Sequence, residues 1–296
     1  MERNTAKRTL EKLLSVCICL CMLGAMLPAQ VFAEEADTAQ TETVQDTAPK
    51  DTVHLSSADD LIQLAKNCRL DSWSQNRTVV LEADVDLSSV DFNGIPSFGG
   101  TWEGQNHAIT GLSLSQDGSV QGLFRYVQQG ALVRDMTVKG RIKPGGTRAS
   151  VGGIAGSNAG TIENCAFDGV VSGTSQIGGI AGVNTVKGSI NGCTVSGTVY
   201  GSHFVGGVVG QNDGVAANCT NVASVNTTVS QNEVKLNDLT LDNVLKTEKA
   251  NDVTDAGGIA GNNAGVLRAC INRGTIGYSH IGYNVGGIAG SQTGYV

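Results

Sequence analysis

The stretch Val151-Gly152-Gly153-Ile154-Ala155-Gly156-Ser157-Asn158-Ala159-Gly160 is written four more times, beginning at Ile177, Val205, Ala256 and Val285. Counted from the first Gly of each pair (152, 178, 206, 257 and 286), the spacings are 26, 28, 51 and 29. The 51 reads as two periods, one carrying an insertion. Recurrence at a fixed period of this size means stacked structural units whose hydrophobic faces are buried only by their neighbours. Each unit offers an apolar strand (Ile154, Ile180, Val208, Ile259, Ile288) and an Asn in a turn (Asn158, Asn184, Asn212, Asn263). A second Gly follows, then a strand ending at a Cys, and then a third strand such as Gly197-Thr198-Val199. Three short strands per unit predict an all-β fold, a parallel β-helix, with right-handed winding favoured by the handedness of parallel crossovers. Strands of successive coils pair at ~4.8 Å, so like residues stack. An Asn ladder at a corner would hydrogen-bond along the axis.

The lead-in is less regular. Ser57 before Ala58-Asp59-Asp60 predicts a helix start, with acids in the first turn where the helix dipole favours them. Leu61, Ile62, Leu64 and Ala65 give that helix an apolar face, suited to capping the N-terminal end of a solenoid. Gly122-Leu123-Phe124 and Gly130-Ala131-Leu132-Val133 look like a degenerate first copy, with Phe124 closing the core end. Glycines throughout are expected at corners, in backbone conformations other residues resist. The organisation is therefore a signal peptide (1–33), an acidic leader (34–52), a cap with irregular coils (53–150) and regular coils (151–296). The polar segment 221–255 projects as an insertion.

The signal peptide rests on Arg3, Lys7, Arg8 and Lys12, the apolar run Leu13 to Leu27, and Val31-Phe32-Ala33 before a cut. The apolar run is too short to span comfortably, so no transmembrane segment is expected after cleavage. Residues 34–52 hold six acids and one Lys and read as disordered. The whole chain carries −7 and no basic stripe, which argues against a nucleic-acid partner. Cys68, Cys165, Cys193, Cys219 and Cys270 are an odd set without paired C-x-x-C spacing. Four of them share one repeat position, so they read as stacked, buried, free thiols rather than disulfides or a metal site.

Signals for chemistry are sparse. The Gly-rich copies lack the Lys-Ser/Thr of a phosphate loop, and no H-E-x-x-H occurs, so no catalytic, cofactor or metal residues are assigned. Asp84 and Asp86 share one strand parity and read as a solvated face. Tyr200, His203, Phe204, Tyr278, His280 and Tyr283 cluster just before the third and fifth copies. Aligned on one edge, they form an aromatic strip for a sugar or protein ligand; packed between coils, they are structural.

The units GGIAGSNAGTIENCAFDGVVSG, GGIAGVNTVKGSINGCTVSGTVYG and GGVVGQNDGVAANC resemble GLUG-motif repeats. The lead-in segments SSADDLIQLA, FGGTWEGQNHAITGL and GLFRYV resemble the upstream part of such proteins. The resemblance spans Thr52 to Val296, departing at Gly192 and Ala269, where the motif has Asn before Cys. It implies a secreted or surface-attached bacterial β-helix protein that adheres or displays, with a host or matrix protein or a glycan as partner. Similar repeats occur in N-terminal regions of IgA1-specific zinc metallopeptidases, so the alternative is the non-catalytic front of a larger secreted hydrolase. Val296 falls inside the fifth copy, from which further C-terminal domains are expected.

Overall fold

The computed structural model describes residues 50–146, 148–227, 254–277 and 284–296. The expected signal peptide and most of the expected acidic leader lie outside them. The described chain is a parallel β-solenoid with one helix. Its strands fall into four sheets: two of eight strands, one of seven and one of five. The pairings are parallel and link each coil to the next.

A regular coil carries four strands where the sequence suggests three. The coil from Ala149 runs Ala149–Gly152, Ala155–Asn158, Thr161–Glu163 and Ala166–Ser172. The first apolar segment is split by a bend at Gly153-Ile154, and Ile154, expected on a strand, points into the core from that bend. Asn158 ends a strand rather than sitting in the turn.

The repeat glycines also act differently from expectation. No member of the five Gly-Gly pairs has positive φ. They are close-approach positions: a Cβ on Gly152 would lie 2.1 Å from the Ala155 carbonyl oxygen. The left-handed corners fall largely on other residues. One set is Val120, Ser150, Gln176, Phe204 and Asp255; another is Asp135, Asn164, Gly192, Asn218 and Ala269, each just before Met136 or a ladder Cys. Asn and Gly tolerate this conformation and Ala does not, so Gly192 is a neutral departure from the motif and Ala269 a strained one.

The helix spans Ala58–Asn67. The Ser57 hydroxyl accepts from the Asp60 N–H at 3.2 Å, and Asp60 in turn accepts from the Ser56 N–H at 3.0 Å. That backbone bond is the main reason Asp60 is held below the usual carboxylate range. Leu61 and Leu64 are buried in the same core as the coils.

Phe124 does not close the core end. Ile95 stacks on one side of it and Ala155 on the other, because a further coil begins at Ile95–Phe98. The insertion is also shorter than 221–255. Asn221 pairs in a strand with Asn272, Ser224-Val225 pairs with Thr198-Val199, and Thr254–Gly257 joins the five-stranded sheet.

Candidate functional site

The ladder that dominates the interior comes from the last residue of each strand in the seven-stranded sheet. Asn158, Asn184, Asn212 and Asn263 are all fully buried. Each Nδ2 donates to the next rung: 2.8 Å to Asn184, 2.8 Å to Asn212, 2.6 Å to Asn263 and 3.0 Å to Gln292. Each also reaches a carbonyl of its own turn and one of the next coil, as Asn184 does to Gly188 and Val215. A buried amide is tolerated only when so paired.

The thiols form a second ladder. Cys165, Cys193 and Cys219 are buried and free, and Cys270 is half-buried. Each Sγ lies near the carbonyl two residues earlier and one in the preceding coil, as Cys193 does to Asn191 (3.4 Å) and Ile162 (3.7 Å). Burial pushes Cys165 up to about 12; Cys219 is also pushed to about 12, first by its hydrogen bond with Cys193. These thiols are poor nucleophiles at neutral pH. Among the described residues, no group of three or more His, Cys, Asp or Glu side chains is placed to hold a metal ion.

Of the predicted aromatic strip, only Tyr200, His203 and Phe204 fall in the described residues; Tyr278, His280 and Tyr283 lie outside them. The three are half-buried at one corner. They stack on non-aromatic neighbours: Tyr200 on Ser172, and His203 on Ser175. Phe204 has φ +52°, and its equivalents in other coils lie at +58° to +59°, which makes this a feature of the corner rather than of a site. The described part of the strip is one coil wide. Asp84 links coils, taking the Ala108 N–H (2.8 Å) and contacting His107, and Asp86 is a turn acceptor, taking the Ser88 N–H (2.9 Å). These backbone bonds hold both below the usual carboxylate range, which leaves neither suited to carrying a proton at neutral pH.

A different region has the shape of a binding site. One position of the seven-stranded sheet reads Pro96, Arg125, Gly156, Gly182, Gly210, Gly261, Gly290 from coil to coil. From Gly156 onward each glycine is pressed against a left-handed corner of the coil below. A Cβ on Gly182 would sit 2.3 Å from the Ser150 carbonyl carbon, and one on Gly261 2.2 Å from that of Phe204. Among the described residues this corner set begins at Val120, in the coil of Arg125 itself, so neither Pro96 nor Arg125 has such a corner in the coil below it. Pro96 and Arg125 therefore have room for side chains, and two adjoining cavities open over them.

The outer cavity, about 680 Å³, is lined by Ser97, Tyr126, Gln128 and Ser157 among others. The inner one, about 280 Å³, lies beside the helix and is lined by Lys66, Arg69, Asp91 and Phe92 among others. Pro96 and Arg125 line both. Tyr126 is 47% exposed. Gln128 is fixed, donating to the Asp71 carbonyl (2.8 Å) and Ser97 Oγ (2.7 Å). Arg125 donates from Nε to the Val120 carbonyl (3.1 Å) and from Nη2 to that of Ser119 (3.3 Å), and among the described residues Nη1 makes no hydrogen bond. Sequence reasoning missed this site, because its signal is two non-glycine residues in a column of glycines.

No family model matches the chain. Halomucin of Haloquadratum walsbyi is 28% identical over 128 residues, which cover 38% of this chain and 1% of halomucin. Among solved structures, that of a putative immunoglobulin A1 protease from Bacteroides ovatus aligns with 17% identity and a TM-score of 0.45, covering 79% of this chain and 84% of that one.

Proposed function

We propose that the chain is a GLUG-type solenoid of a secreted or cell-surface protein, a non-catalytic scaffold that adheres or displays outside the cell. The helix closes its N-terminal end. The observation that carries this reading is the buried Asn ladder, running without a break through five coils to Gln292. A column of paired amides makes neighbouring coils interdependent, and the stack behaves as a rod that holds a surface at a distance. The export-type N-terminus and the similarity to halomucin, a mucin by name, support an extracellular setting.

Antibody labelling of intact cells tests the location: a labelled surface or culture medium agrees with the proposal, and a signal only after lysis contradicts it. Incubating the purified chain with immunoglobulin A and with pectin-like glycans tests the rest. Reproducible cleavage of either would replace the scaffold with a hydrolase.

A further inference from the structure

The paired cavities over Pro96 and Arg125 differ from end to end. The inner one gathers Lys66, Arg69 and Arg125 against the single carboxylate of Asp91. Among the described residues none of these three cations has an ion-pair partner, whereas Arg134 is held by Glu103 at 2.7 Å. This happens in a chain whose net charge is −7. The outer cavity balances Arg125 with Asp71 and presents the half-exposed Tyr126 between the hydroxyls of Ser97 and Ser157. A ligand that fits both has a fixed anion at one end. The rest of it must offer C–H faces to an aromatic ring and hydroxyls to polar neighbours.

We infer that this groove binds a carboxylated sugar, with the carboxylate toward Lys66, Arg69 and Arg125 and a pyranose face over Tyr126. A guanidinium suits a carboxylate because its donors match the planar acceptor, and Arg125 is already oriented by its two carbonyl bonds. A peptide added as an extra strand is disfavoured. The strand at the groove, Ile95–Phe98, is the sheet edge, but Pro96 has no N–H to offer and the turn containing Asp71 is tied to Gln128 across it. The inference rests on the extracellular reading and gives it a ligand class.

Calorimetric titration of the exported chain tests it, using tetragalacturonate and sialyllactose as acidic probes and cellotetraose as the neutral control. At least one acidic probe should bind at least about tenfold more tightly than cellotetraose, a preference that shrinks as salt is raised. Tyr126→Ala and the double variant Lys66→Gln/Arg69→Gln should each weaken that binding by about tenfold, as loss of a stacking or charge-assisted contact does. These side chains are exposed enough to remove without unfolding, and an unchanged melting temperature checks that. Which acidic probe binds separates a uronate from a sialic acid. No binding of either, equal binding of cellotetraose, or binding indifferent to both variants would overturn the inference. None of those results would touch the surface location, which cell labelling reads separately.

Discussion

The regular coils from Val151 and the irregular coils before them share one strand register yet are held together differently. At the innermost position of the seven-stranded sheet, Phe98 and Val127 lead into Asn158, Asn184, Asn212 and Asn263. At another, Ile95 and Phe124 give way to Ala155 and Ala181. The early coils fill their interior with aromatic volume: Phe98, Trp102 and Phe124 meet with ring centroids 5.2 to 6.2 Å apart, two of the three pairs edge-on. The later coils, Phe167 apart, bury aliphatic side chains and thiols, and add amide ladders and backbone contact through glycine. Repetition thus fixes a coil by copying its corners. Where copying stops, volume takes over, and at Pro96 and Arg125 the missing corner contact leaves a groove.

The sharpest way to break the early coils is Trp102→Ala, which should cost about 3–5 kcal/mol as a large buried ring is lost. Trp102→Phe should cost much less, since Nε1 makes no hydrogen bond among the described residues and only volume is at stake. In the later coils the counterpart is Gly182→Ala. A Cβ there meets backbone at 2.3 to 2.7 Å on several sides, so the coil must open at a cost of about 3 kcal/mol. Replacing Arg125, at the same register position, should leave the fold intact. Denaturant melts of the variants check each ranking.

Asn184→Leu comes next. It strips Asn158 Nδ2 and Asn212 Oδ1 of a partner in the interior and should cost about 1–3 kcal/mol. Asn93, away from the ladder, should be replaceable at little cost.

The smallest effect near neutral pH is the thiol ladder's share of the pH dependence of stability. The raised values of Cys165 and Cys219, about 12 each, mean the folded state favours the neutral thiol. An unfolded thiol titrates near about 8.5, so this contribution is complete below that pH and is lost as pH climbs through the folded values. Stability should therefore decline in alkali, and less steeply in a Cys165→Ala/Cys193→Ala/Cys219→Ala variant. Met136 holds the equivalent place in the earlier coil and contributes nothing to this slope. Melts at neutral and alkaline pH read the difference; equal slopes would contradict it.

What the sequence shows depends on whether identity or geometry carries the signal. The period, the Asn column and the Cys column are legible because the same residue type must recur to pair or pack with itself. The helix is legible from Ser57 and the two acids after it. The left-handed corners at Val120, Ser150, Gln176 and Phe204 are not, because coil closure imposes that conformation on whatever residue stands there. The start of the insertion was misplaced because Asn221 looks polar, although its amide is buried and donates to Asn272 at 2.9 Å. The groove was invisible because it arises where the set of left-handed corners has not yet begun. The aromatic strip drew attention through composition alone, and its described half spans a single coil.

Side-chain amide exchange in protein labelled with 15N-asparagine tests the amide ladder most directly. If it holds the regular coils together, the Nδ2 protons of Asn158, Asn184, Asn212 and Asn263 exchange with solvent only on the timescale of backbone amides in the same strands, while those of Asn93 exchange at once. Rapid exchange at Asn184 and Asn212 in the folded protein would show that these amides reach water, and that the coils are held by packing alone.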